Sequence, residues 1–370
     1  MRLFYLIDTT LRDGEQAPGV VFSESEKIEI ASILDEAGVP EVELGTPAVS
    51  GDDIAQINLL SNYGFNFRTA CWSRAREDDI LLALKTGVNQ INISFPVSDI
   101  LLRVMSKDRK WVEKEVARLI PFALQHFEYV SVGAMDASRC AWDFLESFTG
   151  LALDRGACRV RYSDTVGVMH AGYVGGFFSK MSERFPGSEF EFHGHNDLGM
   201  ATANTLSALT NGCRCASVTV NGLGERAGNA ALEEVVAALS GSCGIDCGID
   251  MKKLVHLCDV VSRASGRVIH PSKPVSGSMA FSHESGIHCS GLAKDPLAFQ
   301  PFHPEELGRN QTFVAGRHSG EASIKSILEK TGVSLDHHLF PRFLASVKAE
   351  SVRKKRALSM EEVQRLASEF

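Results

Sequence analysis

The chain has 370 residues, of which 44% are hydrophobic and 23% charged, and its formal net charge is -8. That length exceeds a usual single domain but suits one barrel of about 250 residues with an appendage, and the composition excludes long disorder. The acidic balance argues against a nucleic-acid partner, which needs a concentrated positive surface. No apolar run reaches the roughly 18 residues of a membrane span.

In chain order, short apolar or β-branched runs alternate with longer helical patterns. Strands are expected at Leu3 to Ile7, Glu41 to Gly45, Asn66 to Cys71, Gln90 to Phe95, Tyr129 to Gly133, Arg159 to Ser163, Glu189 to Phe192 and Ala216 to Val220. Eight βα units in succession predict a parallel (β/α)8 barrel, a TIM barrel, with a doubly wound open sheet as the alternative. The first helix has consistent local signals: Ser23 as N-cap, Glu26 as its capping-box partner, an apolar face of Ile28, Ile30, Ile33 and Leu34, and Gly38 as the stop. The catalytic barrel is assigned to residues 1–262. A mainly helical C-terminal region is assigned to 263–370, with helical patterns at Glu321 to Glu329 and Leu339 to Ser351. The basic run Arg353 to Arg356 reads as a solvated helix end. Nine cysteines, an odd number with no CxxC, together with a start unlike a signal peptide, predict a cytoplasmic protein with reduced thiols.

Barrel enzymes carry their chemistry on loops at the C-terminal ends of strands. After strand one, Arg12 and Asp13 stand side by side before Gly14, either as a surface salt-bridge loop or with one binding a metal and the other reaching a substrate. After strand seven, His193-Gly-His195 places two imidazoles at i and i+2 of extended backbone, so both can aim at one point. Two imidazoles and a carboxylate leave coordination positions open, as a catalytic divalent site requires. The loop Asn221-Gly-Leu-Gly-Glu-Arg-Ala-Gly-Asn229 reads either as an anion cradle or as glycines needed for tight packing. In the tail, His283-Glu-Ser-Gly-Ile-His288 is not a zinc-protease motif, because its histidines are five apart. On their own these two read equally well as solvated bystanders.

Leu11-Arg-Asp-Gly-Glu-Gln16 with Lys27 beyond it, and Phe190-x-x-His-x-His-Asn-Asp-x-Gly199, resemble the two signature motifs of the isopropylmalate and homocitrate synthase family. The likeness continues through Ser94-Phe-Pro-Val-Ser-Asp99, Asp136-Ala-Ser-Arg139, Ser163-Asp-Thr-Val-Gly167 and Glu305-Glu-Leu-Gly308. It is strongest to nitrogen-fixation-type homocitrate synthases. The resemblance implies condensation of acetyl-CoA with a 2-oxo acid, 2-oxoglutarate first, on a divalent ion (Mg, Mn or Zn). Oxaloacetate, pyruvate, 2-oxoisovalerate or a phosphonate-bearing acid are other candidates, and a hydroxymethylglutaryl-CoA-type lyase and a catalytically altered relative are the rival readings. It makes Asp13, His193 and His195 metal ligands with Asn229 nearby, Arg12 the oxyanion stabiliser and His288 an acid/base group. Contacts to the oxo acid fall to Gln16, Glu43, Arg74, Ser94 and Thr165, and acyl-CoA contacts to Gly222, Gly224 and Glu225. His288 would reach the partner's barrel in a homodimer with exchanged C-terminal regions. Arg68, read with Arg74 as lying at the end of strand three, is a further candidate anchor for a distal anion. Two positions depart from the family pattern: Met135 stands where a Glu is expected, and Phe299 where a Tyr is expected.

Overall fold

The computed structural model describes residues 4–370, and the side chains of 330 and 331 are not described. Leu3, at the start of the first expected strand, lies outside the described residues. Eight parallel strands close on themselves in sequence order: β1 (Tyr5–Asp8), β2 (Glu41–Glu43), β3 (Arg68–Arg74), β4 (Gln90–Pro96), β5 (Tyr129–Met135), β6 (Arg159–Asp164), β7 (Phe190–Gly194) and β8 (Cys215–Val218). The ring is sealed by β1 pairing with β8 in register Leu6 to Ala216. The expected TIM barrel is therefore the fold, and the open-sheet alternative falls.

Where strand limits moved, local bonding accounts for it. Asn66 is not in β3, because its N–H and amide both bond the Asp35 carboxylate instead of a neighbouring strand. Val220 leaves β8 for a short turn, its N–H bonding Thr10 Oγ1. The helix Glu24–Glu36 forms with the expected Ser23/Glu26 capping box, and Gly38 takes a left-handed φ of 82° just past its end. Ile30, Ile33 and Leu34 are buried against the barrel, while Ile28 is only partly covered.

Alternation along the strands divides the barrel into two environments. Ile91, Ile93, Val130, Val132, Phe190 and Phe192 belong to the apolar layer under the helices. The alternate positions are mostly polar, with Asn92, Ser94 and Ser131 on β4 and β5 and charged residues on β2, β6 and β7. Arg159 on β6 bonds Glu41 on β2, at 2.6 Å and 3.2 Å, and these strands are not neighbours in the ring. Their side chains can meet only across the interior, which is filled by ion pairs rather than the usual branched aliphatic layers.

The barrel strands and helices to Ile269 form one compact unit and His270–Phe370 a second. The second unit has its own small core, built from Ile324, Leu328, Phe343, Val347 and Val363 on the helices Glu321–Thr331, Phe340–Lys354 and Met360–Ala367. Arg353, Lys354 and Arg356 at the end of one of these helices are matched by Glu350 and Glu362. Among the described residues, no helix is long and apolar enough to cross a membrane.

Candidate active site

The end of β7 carries His193 and, two residues on, His195, both at most 7% exposed. Extended backbone turns both rings the same way, and their Nε2 atoms lie 3.3 Å apart. Gly194 between them has no room for a side chain, since a Cβ would come within 2.7 Å of the Phe192 ring. Asp13 arrives from the loop after β1, its Oδ2 3.5 Å from His193 Nε2 and 3.9 Å from His195 Nε2. The loop after β8 folds back so that Asn229 bridges to His195, and the Asn229 amide donates to Asp13 Oδ2 at 2.8 Å.

Electrostatics prepare these groups to be ligands. Burial opposes the Asp13 charge, but Arg12, the two histidines and the Asn229 amide outweigh it and hold the carboxyl well below its usual range. Burial pushes His193 down to about 3, against the pull of Asp13, and also lowers His195, so both rings are neutral with lone pairs to offer. Asp13, His193 and His195 present one ligand atom each, all within 4.8 Å of one another. Asn229 Oδ1 is buried without a hydrogen-bond partner beside them. Two neutral imidazoles, a carboxylate and a spare amide oxygen fit a divalent ion with open positions.

Arg12 adjoins this cluster. Its Nη1 donates to Asp13 Oδ1 at 2.9 Å and its Nε to Glu43 Oε2 at 2.7 Å, and its guanidinium lies 5.9 Å over the Trp72 ring. Glu43 is fully buried, with both oxygens already engaged by Arg12 and Arg161. It therefore braces Arg12 from within the barrel. Thr165 lies in the loop after β6, where its hydroxyl accepts from Asp136 N at 2.9 Å. Ser94 lies on β4 and lines a cavity at the strand ends, whereas Gln16 is exposed in the turn Gly14–Gln16. Arg74 ends β3, but its fork is occupied by Asp79 through bonds of 2.6 Å and 3.0 Å. Arg68 does not lie at the end of strand three. It opens β3, at the barrel's other rim, and pairs with Glu41. Gly222 and Gly224 take positive φ in the β8 loop, and Glu225 beside them is exposed. In the second unit, His288 is exposed and stacks on Phe299 with centroids 4.3 Å apart.

Arg159, Arg161 and Glu191 escaped the sequence reading. They continue the chain of buried pairs below the cluster, with Arg161 Nε 2.5 Å from Glu191 and Arg159 Nε 2.9 Å from it. The signal was present as alternating charge within apolar strands: Glu41-x-Glu43, Arg159-x-Arg161 and Glu191-x-His193-x-His195.

Residues 3–261 match the HMGL-like family, and residues 275–355 match the homocitrate synthase post-HMGL domain-like family. The chain belongs to the HMGL-like family. It is 41% identical over 365 residues to homocitrate synthase 1 of a Nostoc species, covering 98% of this chain and 96% of that one. It is 40% identical to 2-isopropylmalate synthase 2 of Caldanaerobacter subterraneus subsp. tengcongensis (96% and 92% covered). It is 38% identical to 2-phosphonomethylmalate synthase of Streptomyces rubellomurinus (97% and 96% covered). Among solved structures, hydroxymethylglutaryl-CoA lyase from Pseudomonas aeruginosa superposes with a TM-score of 0.63 at 23% identity, covering 72% of this chain and 94% of that one. At that identity the likeness speaks for the barrel alone.

Proposed function

We propose that this HMGL-like chain joins the methyl carbon of acetyl-CoA to the keto carbon of a 2-oxo acid and releases coenzyme A. The observation that carries the reading is Arg12 bonded to the same Asp13 that groups with His193 and His195. That arrangement puts a permanent cation next to a three-ligand cluster. Relatives of this family with near-complete coverage bear the names of synthases, which supports condensation over cleavage.

Asp13, His193 and His195 would hold a divalent ion, with Asn229 at its edge, and the ion would supply Lewis-acid polarisation of a keto carbonyl. Arg12 stabilises the negative charge that builds on the keto oxygen as the carbon-carbon bond forms. Thr165 and Gln16 orient the acid, and Gly222, Gly224 and Glu225 receive the acyl-CoA. A base takes a proton from the acetyl methyl, the keto oxygen gains one, and water then cleaves the thioester to a carboxylate and a free thiol. We assign the acid/base step to His288, acting on the barrel of a partner subunit in a homodimer. At the position expected to carry a Glu, Met135 offers no proton, so the acid/base work falls on fewer groups. The relatives' names divide among different oxo acids. Of the two arginines considered for the distal carboxylate of 2-oxoglutarate, Arg68 opens β3 and pairs with Glu41, and Arg74 is paired with Asp79.

The test is thiol release by the purified protein given divalent metal, acetyl-CoA and a panel of 2-oxo acids. Release that depends on one acid supports the reading, and no release with any acid defeats it. For the dimer, mixing inactive His195→Ala and His288→Ala chains should restore activity if each barrel uses the other chain's His288. No recovery would refute the exchange.

A further inference from the structure

A cavity of about 670 Å³ opens at the ends of β3, β4 and β5, within the barrel unit. It shares a wall with the metal-ligand cluster, because Trp72 lines the cavity and carries the Arg12 guanidinium over its ring. Its volume lies in the range of cavities that enclose drug-sized ligands, about 300–1,000 Å³. A two-carbon or three-carbon acid side chain would leave most of it empty.

The chemistry of the lining is specific. Trp72, Pro96, Met105, Trp111 and Met135 give an apolar surface. Two of the guanidiniums around them are occupied, Arg74 by Asp79 and Arg118 by Glu115 and Glu77, while Arg76 lies 3.6 Å from the exposed Asp78. Lys107 is exposed, with its ammonium 5.0 Å over the Trp111 ring, where solvent screens it. An anionic substituent entering this cavity would have to displace a carboxylate already paired with Arg74 or Arg118, which is costly, or settle for the solvent-screened Lys107. Met135 removes a charge from the wall at the position where the family pattern calls for a Glu, and its thioether adapts to irregular apolar shapes.

We infer that the cavity receives the side chain of the 2-oxo acid and selects an apolar one, either an unbranched chain of four or more carbons or an aromatic ring, over the carboxylate-bearing chain of 2-oxoglutarate. Trp72, Met105, Trp111 and Met135 set that choice. The assignment of this chain to an oxo-acid substrate rests on the condensation reading, whereas the cavity's preference for apolar ligands does not.

Two of the three tryptophans, Trp72 and Trp111, line the cavity, so intrinsic fluorescence reports its occupancy independently of turnover. The experiment pairs thiol-release kinetics for 2-oxooctanoate, phenylpyruvate, pyruvate and 2-oxoglutarate with fluorescence titration of the same acids. The expected result is a kcat/KM at least about tenfold higher for 2-oxooctanoate or phenylpyruvate than for 2-oxoglutarate, with a saturable fluorescence change. Met105→Lys, at a half-exposed position tolerant of change, should lose that advantage through a raised KM for the apolar acids. Thiol release that is fastest with 2-oxoglutarate overturns the inference and leaves condensation standing. If no acid releases thiol, condensation fails and the titration alone judges the cavity: saturation by the apolar acids upholds it. A fluorescence change with coenzyme A but none with those acids overturns it.

Discussion

Glu43 accepts Arg12 Nε on one carboxylate oxygen at 2.7 Å and Arg161 Nη2 on the other at 2.6 Å, with no exposed surface of its own. One side chain thus ties the cation at the metal-ligand cluster to the ion pairs that fill the barrel. Burial alone would raise the Glu43 pKa, but the two guanidiniums bring it down to about 2. Because the folded value lies below the unfolded one, the pairing contributes its full stability above about pH 5 and loses it as pH falls through the folded value.

Glu43→Gln keeps the shape but can accept from only one arginine, leaving the other guanidinium short of a buried counter-charge. The expected cost is roughly 3 kcal/mol near neutral pH, read as a lower urea midpoint, with a shallower loss of stability on acidification than in the parent. Thiol release should fall by about 100-fold as Arg12 loses its brace. An unchanged midpoint would show that the pair contributes nothing.

His195→Ala removes one of three clustered ligand atoms and should abolish metal retention, measured by elemental analysis after desalting. The parent should gain about 2.7 kcal/mol of stability at a metal concentration 100 times its Kd, and the variant none. Normal metal content in the variant would refute the site.

The strands were legible because their outward faces are continuous apolar or β-branched stretches, as at Ile91, Ile93 and Phe95. The histidine pair was legible because i and i+2 share a face whatever the surroundings. Glu41, Arg159 and Glu191 were not, since each depends on partners that only barrel closure brings across the interior. The partner of Arg74 was illegible for a different reason. Asp79 is five residues away in the chain, but only the turn after β3 shows that the two side chains meet. The cavity was illegible for a related reason, because Trp72, Met105 and Trp111 come from three separate segments.

Asp8, at the end of β1, is fully buried, and burial raises its pKa to about 7 despite bonds from Thr10 N and Thr10 Oγ1, with nearby Glu233 adding to the rise. A carboxyl raised on folding contributes stability that is complete below its unfolded value near 4 and lost as pH rises through about 7. Asp8→Asn keeps a neutral side chain of the same shape, so the parent's denaturation midpoint should fall relative to the variant's as pH rises from 5 to 8. Parallel pH profiles for the two proteins would remove Asp8 as the cause.

Gly228 and Gly19 have nearly the same left-handed backbone, with φ of 80° and 82°, but different surroundings. A Cβ on Gly19 meets nothing within 4 Å, whereas one on Gly228 would lie 1.8 Å from the Gly222 carbonyl oxygen. Gly19→Ala should therefore cost only the conformational strain, on the order of 1 kcal/mol. Gly228→Ala must also push apart the loop that seats Asn229 against Asp13. Its cost should be well above that of Gly19→Ala, and metal retention should weaken in the same variant because Asn229 moves with the loop. Comparing both by urea denaturation and metal content separates backbone strain from displacement of the site. Equal costs for the two substitutions, with metal content unchanged, would mean that the loop absorbs a Cβ without moving Asn229.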